Sequence, residues 1–177
     1  MIRSTPILVA LALSLLLGGC GSRSVGNTID DQFTAPEVRK KITQAHADLN
    51  GTTSHIVVTS YNGVVLLAGQ TPKPQLKAMA EQAARSVQGV KKVHNELQVL
   101  TPSSTLARSN DGLLTTKIKA QMLADNGIPG SQIKVITENG VVYLMGLVTR
   151  QEGLRAANLV QGVSGVQRIV KLFQYTD

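Results

Sequence analysis

The chain has 177 residues and a net charge of +7, from 18 basic and 11 acidic side chains, with no tryptophan and one cysteine. A lone cysteine excludes a framework of intrachain disulfides. Three tyrosines and two phenylalanines leave few platforms on which nucleic-acid bases could stack, so the basic balance points toward an anionic lipid surface and away from nucleic acid.

In chain order, Arg3 comes first, then an apolar run over residues 7–17 broken only by Ser14, then Gly18, Gly19 and Cys20. This is the charged, apolar and small-residue order of a secretory signal. The run falls short of the about 20 apolar residues a membrane-spanning helix needs. Leu17-Gly18-Gly19-Cys20 resembles a bacterial lipobox. That resemblance implies a signal peptide over 1–19, acylation of the Cys20 thiol, cleavage before it, and acylation of the new amino terminus. Each buried acyl CH₂ contributes about 0.8 kcal/mol, and several chains together anchor stably. Gly21 stands where an aspartate would favour inner-membrane retention in enteric-type sorting, so the implied location is the outer membrane, lipid-anchored and facing the periplasm. A plain secretory signal with a chance cysteine, or a buried thiol, is the alternative.

Residues 20–36 are polar and small and are expected to form a lipidated tether. After it the chain repeats itself. YNGVVLLAG at 61–69 matches ENGVVYLMG at 138–146, SVQGVKKV at 86–93 matches GVSGVQRI at 162–169, and RKKI at 39–42 aligns with TTKI at 115–118, always at an offset of 76 or 77 residues. The expected units are 37–100 and 112–177, joined by a Ser/Thr-rich linker over 101–111.

Each unit has the same grammar. The first helix carries Val38, Ile42 and Ala45 in unit one, with Pro36 near its first turn. In unit two it carries Leu114, Ile118 and Met122, capped by Asn110 or Asp111. An alternating strand follows, then Asn62-Gly63 or Asn139-Gly140. Asn-Gly between apolar runs signals a type I′ hairpin, whose central residues both need φ > 0. A second strand, VVLLAG or VVYLMG, leads into a helix over about 72–87 or 150–161, and a last strand follows Gly89 or Gly165. The predicted class is α+β: two tandem α-β-β-α-β units, each a three-stranded mixed sheet with two helices. Units this small fold alone only marginally.

The NG-V-V-x-L-x-G strand and the later G-V before the last strand, each present twice, resemble the BON domain of bacterial envelope proteins. With the lipobox, the whole mature chain is similar to the dual-BON outer-membrane lipoproteins of Gram-negative bacteria, and TENGVVYLMGLVTR at 137–150 is close to their second unit. The resemblance implies that unit two binds anionic phospholipid of the phosphatidylglycerol kind, and that the protein supports outer-membrane integrity, with a link to the division site.

No catalytic constellation is visible. His46, His55 and His94 all lie in unit one without counterparts in unit two, and no H-x-x-H spacing occurs, so no metal or cofactor is expected. G-x-S-x-G and phosphate-loop patterns are missing, and the expectation is a protein that is not an enzyme. Gly69 and Gly146, at equivalent strand ends, are expected to be structural: a bulge, a positive φ or a close backbone approach.

The first helix of unit two carries more apolar surface than its core stripe uses. At about 100° per residue, Leu113, Ala120, Leu123 and Ala124 form a second sector, with Lys117 on one flank and Lys119 on the other. Lysines edging an apolar helix face fit a membrane surface. The competing explanations are a folded-back Leu113 staple, or contact of Leu123 with the other unit or a second copy. The alternative function is a protein-interaction module whose strand edges and spare leucines dock an outer-membrane assembly or peptidoglycan-linked partner.

Overall fold

The computed structural model describes residues 25–177, with side chains from 32 onward. Cys20, the signal segment and the start of the tether lie outside the described residues.

Unit one consists of α1 (Val25–Ala45), β1 (His55–Tyr61), β2 (Val64–Thr71), α2 (Pro74–Arg85), β3 (Lys92–Asn95) and β4 (Gln98–Val99). Unit two consists of α3 (Thr105–Ala124), β5 (Lys134–Glu138), β6 (Val141–Val148), α4 (Arg150–Gln161) and β7 (Arg168–Tyr175). In each, the first two strands form an antiparallel hairpin and the last strand lies parallel to the second, which is therefore central. Both hairpins turn on the expected dipeptide: φ is 52° and 77° at Asn62 and Gly63, and 49° and 73° at Asn139 and Gly140. The expected mixed α+β units are present twice.

The structure moves several boundaries. Pro36 sits inside α1 rather than in its first turn, because the helix already starts at Val25. Helix α3 starts at Thr105, within the segment expected to be a linker. Its N-cap is Ser104, whose hydroxyl accepts from the Ala107 N–H, a cap geometry that Ser favours. Asp111 is thereby released from capping. It is buried, and its two carboxylate oxygens accept from the Asn139 and Gly140 N–H groups at 2.8 and 3.0 Å, pinning the β5–β6 turn to α3. The last strand of unit one is broken: Leu97 turns into the core between β3 and β4, so this sheet has four strands where three were expected.

The apolar runs of the two central strands have one explanation. On β2, Val65 and Leu67 face the helices of unit one, while Val64, Leu66 and Ala68 face the other way. On β6, Val142 and Leu144 face α3 and α4, while Val141, Tyr143 and Met145 face the other way. These second faces meet in a third core, together with Tyr61 and Leu172. Strands buried on both faces read as continuous apolar runs instead of alternating ones. The molecule is thus a stack of helices, sheet, sheet and helices, with the helix layers on opposite outer faces.

The seam is pseudo-symmetric. Tyr61 and Glu138 occupy equivalent repeat positions, and each reaches across. The Tyr61 hydroxyl accepts from the Leu147 N–H at 3.1 Å, and Glu138 Oε1 lies 3.4 Å from His55 Nε2. Lys134, at the start of β5, donates to the Ser60 carbonyl near the end of β1 at 2.6 Å. The start of β1 therefore meets the end of β5, and the two hairpins run in opposite directions. Burial pushes the Tyr143 phenol up to about 12.

The two glycines act differently. Gly69 has φ +115°, and a Cβ there would collide with the His55 carbonyl. Gly146 has no positive φ; a Cβ there would sit 3.1 Å from the Gln132 carbonyl, a tight but softer approach.

Candidate functional site

Helix α3 buries Ile118 and Met122 completely, with Leu114 partly buried beside them, which is the core stripe expected from the periodicity. The opposite sector faces solvent. Leu113 is 71% exposed and Leu123 61% exposed, and with the helix starting at Thr105 Leu113 lies too far along it to be a staple. Lys117, Ala120 and Ala124 are exposed as well.

The longer helix adds Leu106, 72% exposed. At about 100° per residue, Leu106, Leu113, Ala120 and Ala124 fall within about 40° of one another, with Lys117 just beside them and Leu123 about 80° away. Leu106 was missed from sequence because the helix was expected to start at Asn110. The signal was present in Ser104, a favoured N-cap residue three positions before the N–H it binds.

Lys119 does not belong to this surface, contrary to the expectation from the helix wheel. Its ammonium donates to the Gly130 and Ile133 carbonyls at 2.6 and 2.7 Å. It ties the loop before β5 to α3, and partial burial lowers its pKa. With two of its three N–H donors held by backbone carbonyls, Lys119 is fixed away from the leucine row, and Lys117 is the exposed cation beside it.

Beside Leu113 and Lys117 lies an open groove of about 470 Å³, bounded by the Asn139-Gly140 turn and by Ser164 and Gln167. Its lining offers amide and hydroxyl groups and one ammonium, together with the Asp111 carboxylate, whose oxygens are held by the Asn139 and Gly140 N–H groups. On the other side of the α3 start, His55, Arg108 and Glu138 form a polar cluster at the seam; the Arg108 guanidinium is 3.5 Å from His55 Nδ1. Burial raises the Glu138 pKa against the opposing pull of His55. His46 instead accepts from the Asp48 N–H at 3.0 Å, and His94 is a half-buried strand residue whose pKa burial lowers. Among the described residues, no set of three or more His, Cys, Asp or Glu is placed to hold a metal, and no helix is long and apolar enough to cross a membrane.

The equivalent surface of unit one differs. Arg39, Lys40 and Lys41 are exposed on α1, and among its described side chains Phe33 is the exposed large apolar residue.

Comparison with known proteins agrees with the repeat. The BON domain family matches residues 30–101 and again 110–177. The outer membrane lipoprotein DolP of Haemophilus influenzae is 37% identical over 158 residues, covering 88% of this chain and 79% of that protein. The 21 kDa hemolysin of Actinobacillus pleuropneumoniae is 33% identical, covering 88% and 79%. The osmotically-inducible protein Y of Escherichia coli K12 is 32% identical, covering 82% and 72%. With both units matched and this identity sustained over most of its length, the chain belongs to the BON-domain family, among the outer-membrane lipoproteins of the DolP type.

Proposed function

We propose that this protein is a binding module, not an enzyme, held at the outer membrane by acylated Cys20 and facing the periplasm, whose second unit binds anionic phospholipid through the outward face of α3. The observation that carries the proposal is the solvent-exposed row of Leu106, Leu113, Ala120 and Ala124, with Leu123 and Lys117 at its sides. Large apolar side chains arranged in line on a folded helix favour a membrane surface or a partner. A lysine at their edge favours an anionic surface, each such cation contributing about 1 kcal/mol. The leucines would enter the headgroup boundary, and Lys117 with the groove rim of Asn139, Ser164 and Gln167 would receive a phosphate. The acyl anchor raises the local concentration of α3 at the bilayer, so weak recognition is enough to bias where the protein sits. Support of outer-membrane integrity, and placement at the division site, follow as the cellular reading of that recognition.

The test is co-sedimentation of the non-acylated chain, residues 21–177, with vesicles of zwitterionic lipid or of the same lipid with phosphatidylglycerol, at low and moderate salt. Binding confined to the anionic vesicles, weakened by salt, and abolished by Leu113→Ser/Lys117→Ser/Leu123→Ser in a still-folded chain is the expected result. Binding that survives the triple substitution would overturn the assignment to α3.

A further inference from the structure

The outer edge of β7 is a second surface with a definite chemistry. β7 runs unbroken for eight residues, Arg168–Tyr175, paired with β6 on one side only. In a parallel pair every second N–H and C=O of the outer strand points away from its neighbour, so the edge carries a row of donors and acceptors that an extended backbone can satisfy. Native proteins usually blunt such edges. Unit one does so: its equivalent strand is interrupted after Asn95, whose side chain folds back onto the Lys77 carbonyl, and Leu97 turns inward.

Helix α4 provides a wall beside this edge. Gly153 lies against the Phe173 and Tyr175 rings, so close that a Cβ would come within 3.1 and 3.2 Å of them. Arg150, one turn earlier, stacks its guanidinium 4.9 Å from the Tyr175 ring centroid. Leu154, at i+4 from Arg150 and so on the same side of the helix, is 58% exposed, and Tyr175 is also exposed. The charges around this edge are mainly of one sign: Arg150, Arg168 and Lys171 are exposed, while the nearby carboxylate of Asp177 already accepts from the Arg150 N–H.

We infer that the β7 edge of unit two is a docking site for an extended peptide segment of alternating acidic and apolar residues, which adds a further strand to the sheet. Main-chain pairing along β7 supplies register, Leu154 and Tyr175 receive an apolar side chain on the helix-covered side of the sheet, Arg168 selects carboxylates on the opposite side, and Arg150 and Lys171 add longer-range attraction. This surface is separate from the α3 crest, so the inference does not depend on lipid binding.

The experiment uses residues 21–177 and two fluorescein-labelled octapeptides, one alternating Glu and Val, the other alternating Lys and Val. Fluorescence anisotropy should show saturable binding of the Glu–Val peptide only, and amide shifts in NMR spectra should gather on Arg168–Tyr175 and on Arg150 and Leu154. Arg168→Glu/Lys171→Glu should weaken binding by about tenfold or more, and Leu154→Asp should weaken it too. Both variants should keep the parent circular dichroism, and Leu154→Asp should also keep the parent vesicle binding. Equal binding of the two peptides, no saturable binding, or shifts centred on α3 would overturn the inference. So would a concentration-dependent dimer with the β7 amides protected, since a second copy would then occupy the edge.

Discussion

Units one and two descend from one sequence pattern and keep the same inward positions, yet their outward faces have diverged. Val64, Leu66 and Ala68 in one, and Val141, Tyr143 and Met145 in the other, build the same side of the same seam. Outside, α1 shows Arg39 and Lys40 where α3 has Thr115 and Thr116, and Glu37 and Gln44 where α3 exposes Leu113 and Ala120, and the edge strand broken in unit one is continuous in unit two. Packing constrains the faces that touch and leaves the others free, so the specialised surface is found where the repeats disagree. Under the proposed function that difference assigns recognition to unit two, with unit one covering its sheet.

The comparison can be broken most severely at the equivalent glycines. Gly69→Ala places a Cβ against the His55 carbonyl at a positive φ and should cost at least about 2 kcal/mol. Gly146→Ala, with ordinary φ, should cost within about 1 kcal/mol. Urea unfolding of the two variants measures the difference, and equal losses would show that the two strand ends are mechanically alike.

A smaller effect separates two lysines two residues apart on α3. Lys119→Gln leaves the Gly130 and Ile133 carbonyls poorly matched and should cost about 1–3 kcal/mol of stability with vesicle binding per folded molecule unchanged. Lys117→Gln should leave stability within about 0.5 kcal/mol and weaken binding to anionic vesicles by about 1 kcal/mol, roughly fivefold. The reverse pattern would exchange their roles.

The smallest effect contrasts Tyr61 with Glu138, which face each other's sheets from equivalent positions. Burial raises the Glu138 pKa above its ordinary value of 4.5, so the folded chain holds this proton more tightly than the unfolded chain. Stability from this group is therefore greatest below the ordinary carboxylate range and is lost as pH rises through the folded value. Glu138→Gln should remove that loss. The stability of the parent relative to the variant, followed by urea midpoints from acid to neutral pH, should fall as pH rises. An increase would mean that the pairing with His55 outweighs burial.

Much of this was legible in the residues themselves. The Asn-Gly turns, the repeat offset and the Leu114, Ile118, Met122 stripe specify their structures locally, because turn conformation and helical period act within a few residues. The seam was hidden, since an apolar run such as VVLLAG does not say what covers its second face. The fate of Lys119 was hidden for a related reason: the carbonyls it binds come from a loop whose path depends on how β5 packs. Leu106 was concealed by a misplaced helix start, although Ser104 offered the cap. Leu113 and Leu123, by contrast, face solvent as the wheel implies, because the buried Ile118–Met122 stripe turns them outward.

The double burial of β2 and β6 also determines what a fragment of this protein would be. Both halves carry a sheet face that only the other half covers, so the tandem is an association with its stoichiometry built in, insensitive to dilution. Cleavage within the short connection at 100–104 would convert that internal pairing into a concentration-dependent one, and each released half would expose an apolar sheet seeking its lost complement.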